Sequence, residues 1–110
     1  MSISADDEIV LVVDVSSFTE KGFIGTSRFA AKAVSIEFDE GDQGLFLSKE
    51  MGEKLGVRKG SQVSLIVEAE RTQVIQTTVA AVGKATRISD AKAYYATGEE
   101  GGAVIRIRKS

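Results

Sequence analysis

The sequence predicts a mainly β protein: a barrel of six to seven strands built from two ββαβ halves, with one or two short helices. Three observations carry this expectation. Alternation recurs along the chain, as where Val63, Leu65 and Val67 fall on one face and Ser64, Ile66 and Glu68 on the other, and a period of two belongs to strands with one buried face. Eleven glycines serve for turning in a chain without proline, and β-branched residues are common while long helical patterns are few. Finally, the order of element types repeats when the chain is slid by forty-one positions.

At 110 residues there is room for one domain, 1–110, large enough to bury a core without staples. The chain has no Cys and no His. That removes disulfides, thiolate metal sites and cysteine nucleophiles, together with the commonest general base and metal ligand. A net charge of −2 with 27% charged residues describes an ordinary solvated surface and argues against a body that is basic throughout. The N-terminus places acidic Asp6, Asp7 and Glu8 where a signal peptide needs basic residues, and the apolar run after them stops at Asp14. Neither export nor membrane spanning is signalled, and a cytoplasmic location is expected.

An added N-terminal strand is expected over 8–16, centred on the apolar run Ile9–Val15. Ser16–Thr26 reads as a loop. Its Lys21-Gly22-Phe23-Ile24-Gly25 has the Gly-x-x-Gly spacing of an RNA backbone clamp, but apolar residues between the glycines suit an ordinary loop that tucks Phe23 and Ile24 inward. Arg28–Asp39 is expected as a strand with Val34, Ile36 and Phe38 on one face. Glu37, Asp39, Glu40 and Asp42 crowd the following turn without the spacing of a calcium loop, so a solvated acidic turn is expected and no metal. Arg71–Val82 is a further strand with Val74 and Ile75 central, and 86–88 is a short one. Ser89 caps a short helix over 90–97, whose tyrosines would serve equally in a strand. The last strand is Ala103–Arg108.

The stretch Gly44–Val67 carries the clearest local instruction. Leu45, Phe46 and Leu47 form a strand, Ser48 caps a helix, and Met51 and Leu55 share its buried side while Glu50 and Lys54 pair at i, i+4. Gly52 within that helix signals either tolerance or the close approach of another backbone. Gly56 supplies the left-handed stop, and Arg58-Lys59-Gly60 turns the chain into the next strand. This order, strand, polar cap, short helix ending Leu-Gly-Val, basic pair, glycine and Val-rich strand, resembles the GD-box unit of the cradle-loop barrels, with Gly60-Ser61 where the box reads Gly-Asp. That superfamily includes the AbrB/MazE swapped-hairpin DNA-binding proteins and the double-psi β-barrels.

With the forty-one-residue slide, strand 28–39 falls on 71–82, 45–47 on 86–88, Ser48 on Ser89, Gly60 on Gly101 and Val63 on Val104. A pseudo-repeat of 28–70 and 71–110 resembles the double-psi barrel, in which two interlocked ββαβ units close a six-stranded tube. Gly56, Gly60 and Gly101 are its expected structural turns. The double-psi resemblance implies several roles: a domain binding a molybdopterin dinucleotide beside a separate catalytic subunit, a recruiting domain with a protein-binding groove, or an aspartate decarboxylase that cleaves itself at a Gly-Ser bond. The Gly60-Ser61 dipeptide lacks the surroundings that last family shows. The AbrB resemblance implies DNA binding, for which Arg58, Lys59, Arg106 and Arg108 are the candidate contacts; Arg106 and Arg108 share one face of the last strand. The plainer reading of these cations is scattered solvated charge, and that of Tyr94 and Tyr95 is packing with one hydroxyl at the surface.

The expectation is therefore a non-catalytic binding or adaptor domain, with no cofactor, whose partner is another protein. The alternatives are an AbrB/MazE-type DNA-binding regulator and an accessory domain for a molybdopterin dinucleotide. Monomer and homodimer stay open.

Overall fold

The computed structural model describes residues 8–14, 22–28, 33–37, 43–83, 85–97 and 102–110. Their elements are β1 (Glu8–Val13), β2 (Gly22–Ser27), β3 (Ala33–Glu37), β4 (Gly44–Leu47), α1 (Lys49–Leu55), β5 (Gln62–Glu68), β6 (Thr72–Val82), β7 (Arg87–Ser89), α2 (Ala91–Thr97) and β8 (Ala103–Lys109). The strands close into a barrel in the order β1-β2-β3-β7-β4-β6-β5-β8. Closure leaves inward and outward residues to alternate along each strand. Ile9, Leu11, Val34, Ile36, Leu45, Leu47, Val63, Leu65, Ile88, Ile105 and Ile107 accordingly meet in one fully buried core.

The barrel has eight strands, not six to seven. The additional one is β2, which occupies part of the expected loop. Phe23, Gly25 and Ser27 are buried while Ile24 and Thr26 are exposed, so only one of the two apolar residues expected to tuck inward does so. Gly25 conceals the strand in the sequence because it marks a turn in most contexts. Here it faces the core, and a Cβ on it would stand 3.1 Å from Val13 Cγ2. Lys21, Asp39, Glu40, Asp42 and Phe38 lie outside the described residues.

The ladders on either side of the barrel follow a common rule. β3 pairs parallel with β7, with Ile36 opposite Ile88, and β6 pairs parallel with β4, with Val79 opposite Leu45. β4 and β7 pair antiparallel through Leu45 and Ile88 themselves, and β5 and β8 antiparallel through Leu65 and Ile107. Leu45 and Ile88 are 43 positions apart, Leu65 and Ile107 are 42. The separation changes by two at each antiparallel step, and Phe46 and Arg87 in the first ladder are 41 apart, so these ladders set no offset; in a strand, however, one residue exchanges the faces. Val63 is fully buried whereas Val104, on which it was expected to fall, lies on the half-exposed outer side between buried Ala103 and Ile105. Gly101 lies outside the described residues; the glycine that shares the backbone of Gly60, φ +92° in both, is Gly102.

The helices start as their caps require. Ser48 Oγ accepts from the Met51 N–H at 3.3 Å, and Gly56 ends α1 in the left-handed region with φ +67°. Ser89 is not the cap of α2. Asp90 Oδ1 accepts from the N–H groups of Lys92 and Ala93 at 2.9 and 3.2 Å, and Ser89 faces the core with an Oγ that has no hydrogen-bond partner. At the expected box, the Ser61 hydroxyl closes its own turn by accepting from Arg58 N–H. The backbone there reaches across to β6: Gly60 N–H donates to Val79 O and Val79 N–H donates to Ser61 O.

Candidate binding surface

The outer half of β6 follows from that last pair of bonds. Both backbone polar groups of Val79 point toward β5, and alternation then turns Thr77, Ile75 and Gln73 the same way, matching their partners Val63, Leu65 and Val67. Thr78, Gln76, Val74 and Thr72 therefore present N–H and C=O to the other side. At Thr78 that side is covered by the start of β4. A Cβ on Gly44 would stand only 2.8 Å from Thr78 O, and Gly44 has φ +130°, so glycine allows the two backbones to approach. Beyond Thr78 the β4 ladder has ended, since its register with β6 covers Val79 to Val82. Among the described residues, none pairs with the outward edge at Thr72, Val74 and Gln76.

α2 stands across from this edge. Its Ala93, Ala96 and Thr97 are buried, which turns Lys92 and Tyr95 outward. Thr97 Oγ1 donates back to the carbonyls of Ala93 and Tyr94, a local bond that closes the last turn. Tyr94 packs on Phe23 with ring centroids 5.6 Å apart, and Tyr95 meets Tyr94 edge-on at 5.3 Å. An aromatic series thus runs from the core to the surface and ends in a ring that is 64% exposed. Between α2 and β6 lies an open groove of about 470 Å³, with Val74, 62% exposed, and Tyr95 along it and Arg71 and Lys92 at its rim. Neither cation has an ion pair among the described residues.

The residues expected to touch nucleic acid are placed elsewhere. Arg58 and Lys59 are exposed in the turn before β5, while Arg106 and Arg108 stand on the outer face of β8. There the two arginines are engaged by carboxylates. Arg106 Nη1 lies 2.9 Å from Glu8 Oε1 and its Nε 3.2 Å from Glu68 Oε1, and Arg108 Nε lies 2.6 Å from Glu8 Oε2. The hydrogen bond from Arg108 leads the causes that hold the Glu8 carboxyl below its ordinary value, against the opposing effect of burial. Glu68 likewise raises the Arg106 guanidinium further. A phosphate on this face would have to displace those carboxylates. Arg87 is similarly occupied, bonded to Glu37 at 3.2 Å and lying 4.1 Å over the Phe46 ring.

The sequence conceals this surface because Val74 and Ile75 together read as the centre of a strand. Adjacent apolar residues in a strand point to opposite faces, so one of the two had to face outward, and burial of Ile75 at 5% exposure assigns Val74. The openness of the edge depends on where β4 stops, which is a tertiary fact. No group of three or more metal-ligating side chains occurs among the described residues, and no helix among them is long and apolar enough to cross a membrane. No family model, curated protein or solved structure matches the chain.

Proposed function

We propose that this chain is a protein-binding module built on a double-psi-like barrel. The exchange of parallel ladders, β3 with β7 and β6 with β4, around the Leu45–Ile88 and Leu65–Ile107 pairs supports two interlocked ββαβ halves, with the β1–β2 hairpin inserted between β8 and β3. The observation that carries the binding role is the pairing of two large exposed apolar side chains, Val74 and Tyr95, on the groove between β6 and α2. Isolated surface apolar residues need no explanation, but a pair lining a recess marks a contact surface. The adaptor reading rests on this concentration. The engaged state of Arg106 and Arg108 makes nucleic acid the weaker alternative.

A photo-crosslinking residue placed at Tyr95, and as a control at Ser64 on β5, tests the reading in an extract of the source cells. A discrete protein adduct from position 95 and none from position 64 is the expected result. Binding to mixed-sequence DNA that weakens steeply with salt, which phosphate contacts require, would overturn it.

A further inference from the structure

We infer that the open edge of β6 takes up an extended, acidic peptide segment as an additional strand lying between β6 and α2. This rests on the protein-binding reading above and specifies its site, its mode and the chemistry of the partner. Thr72, Val74 and Gln76 offer their N–H and C=O groups outward with no partner strand among the described residues, and an unpaired edge is a template for main-chain pairing. Natural edges are usually blunted by proline, an inward-pointing charge or a covering element. This one consists of Thr, Gln, Val, Ile and Gln between Thr72 and Gln76, and α2 stands off it by the width of the groove.

Side chains of an added strand alternate between the two faces of the sheet. Those on the outer face meet Val74 across the ladder, and the segment as a whole lies beside the exposed ring of Tyr95. Arg71 and Lys92 line the groove with no ion pair among the described residues, which selects carboxylate side chains in the incoming segment and disfavours basic ones. The same two cations weigh against a second copy of this chain as the occupant. Pairing edge to edge would gather both copies' Arg71 and Lys92 around one seam.

The test uses the full chain and a short fluorescent peptide that alternates valine and glutamate. The same peptide with lysine for glutamate and one N-methylated at alternate residues are the controls. Saturable binding of the acidic peptide, lost in both controls, is expected. Val74→Pro is the informative variant. Its N–H points away from β5, so proline removes no ladder bond, as edge positions tolerate. It should keep the thermal unfolding transition while weakening the peptide by about tenfold or more, since main-chain pairing supplies the affinity in this mode. Arg71→Glu combined with Lys92→Glu should reverse the preference toward the lysine peptide. Arg58→Glu, remote from the groove, should leave binding unchanged.

Unchanged binding to Val74→Pro, or no binding of the acidic peptide to the wild type, would overturn the inference. So would a wild-type dimer in light scattering that Val74→Pro converts to a monomer, because a second copy would then hold the edge. The two readings fail differently. A crosslinked partner retained equally by Val74→Pro discards the edge and keeps the binding module, whereas no adduct at position 95 discards the module.

Discussion

Glu8 is the side chain on which the outer face of the barrel converges, since one carboxylate receives both Arg106 and Arg108 and is only 10% exposed. Its charged form gains those bonds in the folded chain, so its folded pKa lies below the ordinary value of 4.5. A depressed carboxylate contributes stability that is fully present above the unfolded value and is lost as pH falls through the folded one. Urea midpoints should therefore decline on acidification below about pH 4.5, and Glu8→Gln should remove part of that decline. Identical profiles for the two proteins would mean that the arginines contribute nothing through Glu8. A second contrast lies at the start of α2. Asp90→Ala removes the acceptor for two N–H groups and should cost about 1 kcal/mol. Ser89→Ala deletes a buried hydroxyl that bonds to nothing and should be neutral or stabilising. Chemical denaturation of both variants checks the pair. The sequence pointed one residue too early here because serine and aspartate are both good caps and adjacent. Only the direction of the chain as it leaves β7 decides which of them faces the helix and which the core.

Gly52 shows how elements that were each legible still meet in ways the sequence leaves open. α1 was evident from Ser48, Met51, Leu55 and Gly56, and β6 from its apolar run, but their approach was not. A Cβ at Gly52 would lie 2.8 Å from Val82 Cγ1, so the glycine is kept by a side chain of β6 and not by a backbone. Gly52→Ala sets a helix-propensity gain of about 1 kcal/mol against overpacking of roughly 1–3 kcal/mol. The single variant should be destabilised. With Val82→Ala the steric cost disappears, and adding Gly52→Ala to that background should raise stability, which a double-mutant cycle by denaturant titration measures. A Gly52→Ala that stabilises the wild type would contradict the contact. Strands show the same division between local and tertiary information. β5 and β8 were readable because their alternation is uninterrupted and their faces differ in polarity. β2 was not, since Gly22 and Gly25 suggest turning, and neither the close pass of Ile36 O by Gly22 nor that of Val13 by Gly25 is written locally. The exposed Val74 was hidden for the same reason: an apolar residue on an open edge resembles a core residue until the neighbouring strand is seen to stop.

At the scale of the molecule, the repeat of element types was visible in residue class and order, but its offset was not. The slide of forty-one sets Val63 on Val104, but Val63 is fully buried and Val104 lies on the outer side of β8, and the antiparallel ladders by themselves fix no offset. The β1–β2 hairpin is what departs from the proposed exchange of halves. β5 pairs directly with β6, but β8 and β3 are separated by β1 and β2, with Gly102 packed against Val13 O and Gly22 against Ile36 O. The hairpin also brings Ile9, Leu11, Val13 and Phe23 into the core. A chain beginning at Ala33 would lose those side chains and bare the edges of β3 and β8 together, and exposed edges associate. It is expected to lose its cooperative thermal transition and to elute as aggregates in size-exclusion chromatography. A monomer that melts cooperatively would instead show that β3 and β8 can pair directly. In that case the halves would close a six-stranded tube by themselves, and the hairpin would be an addition to a complete barrel and not the element that seals it.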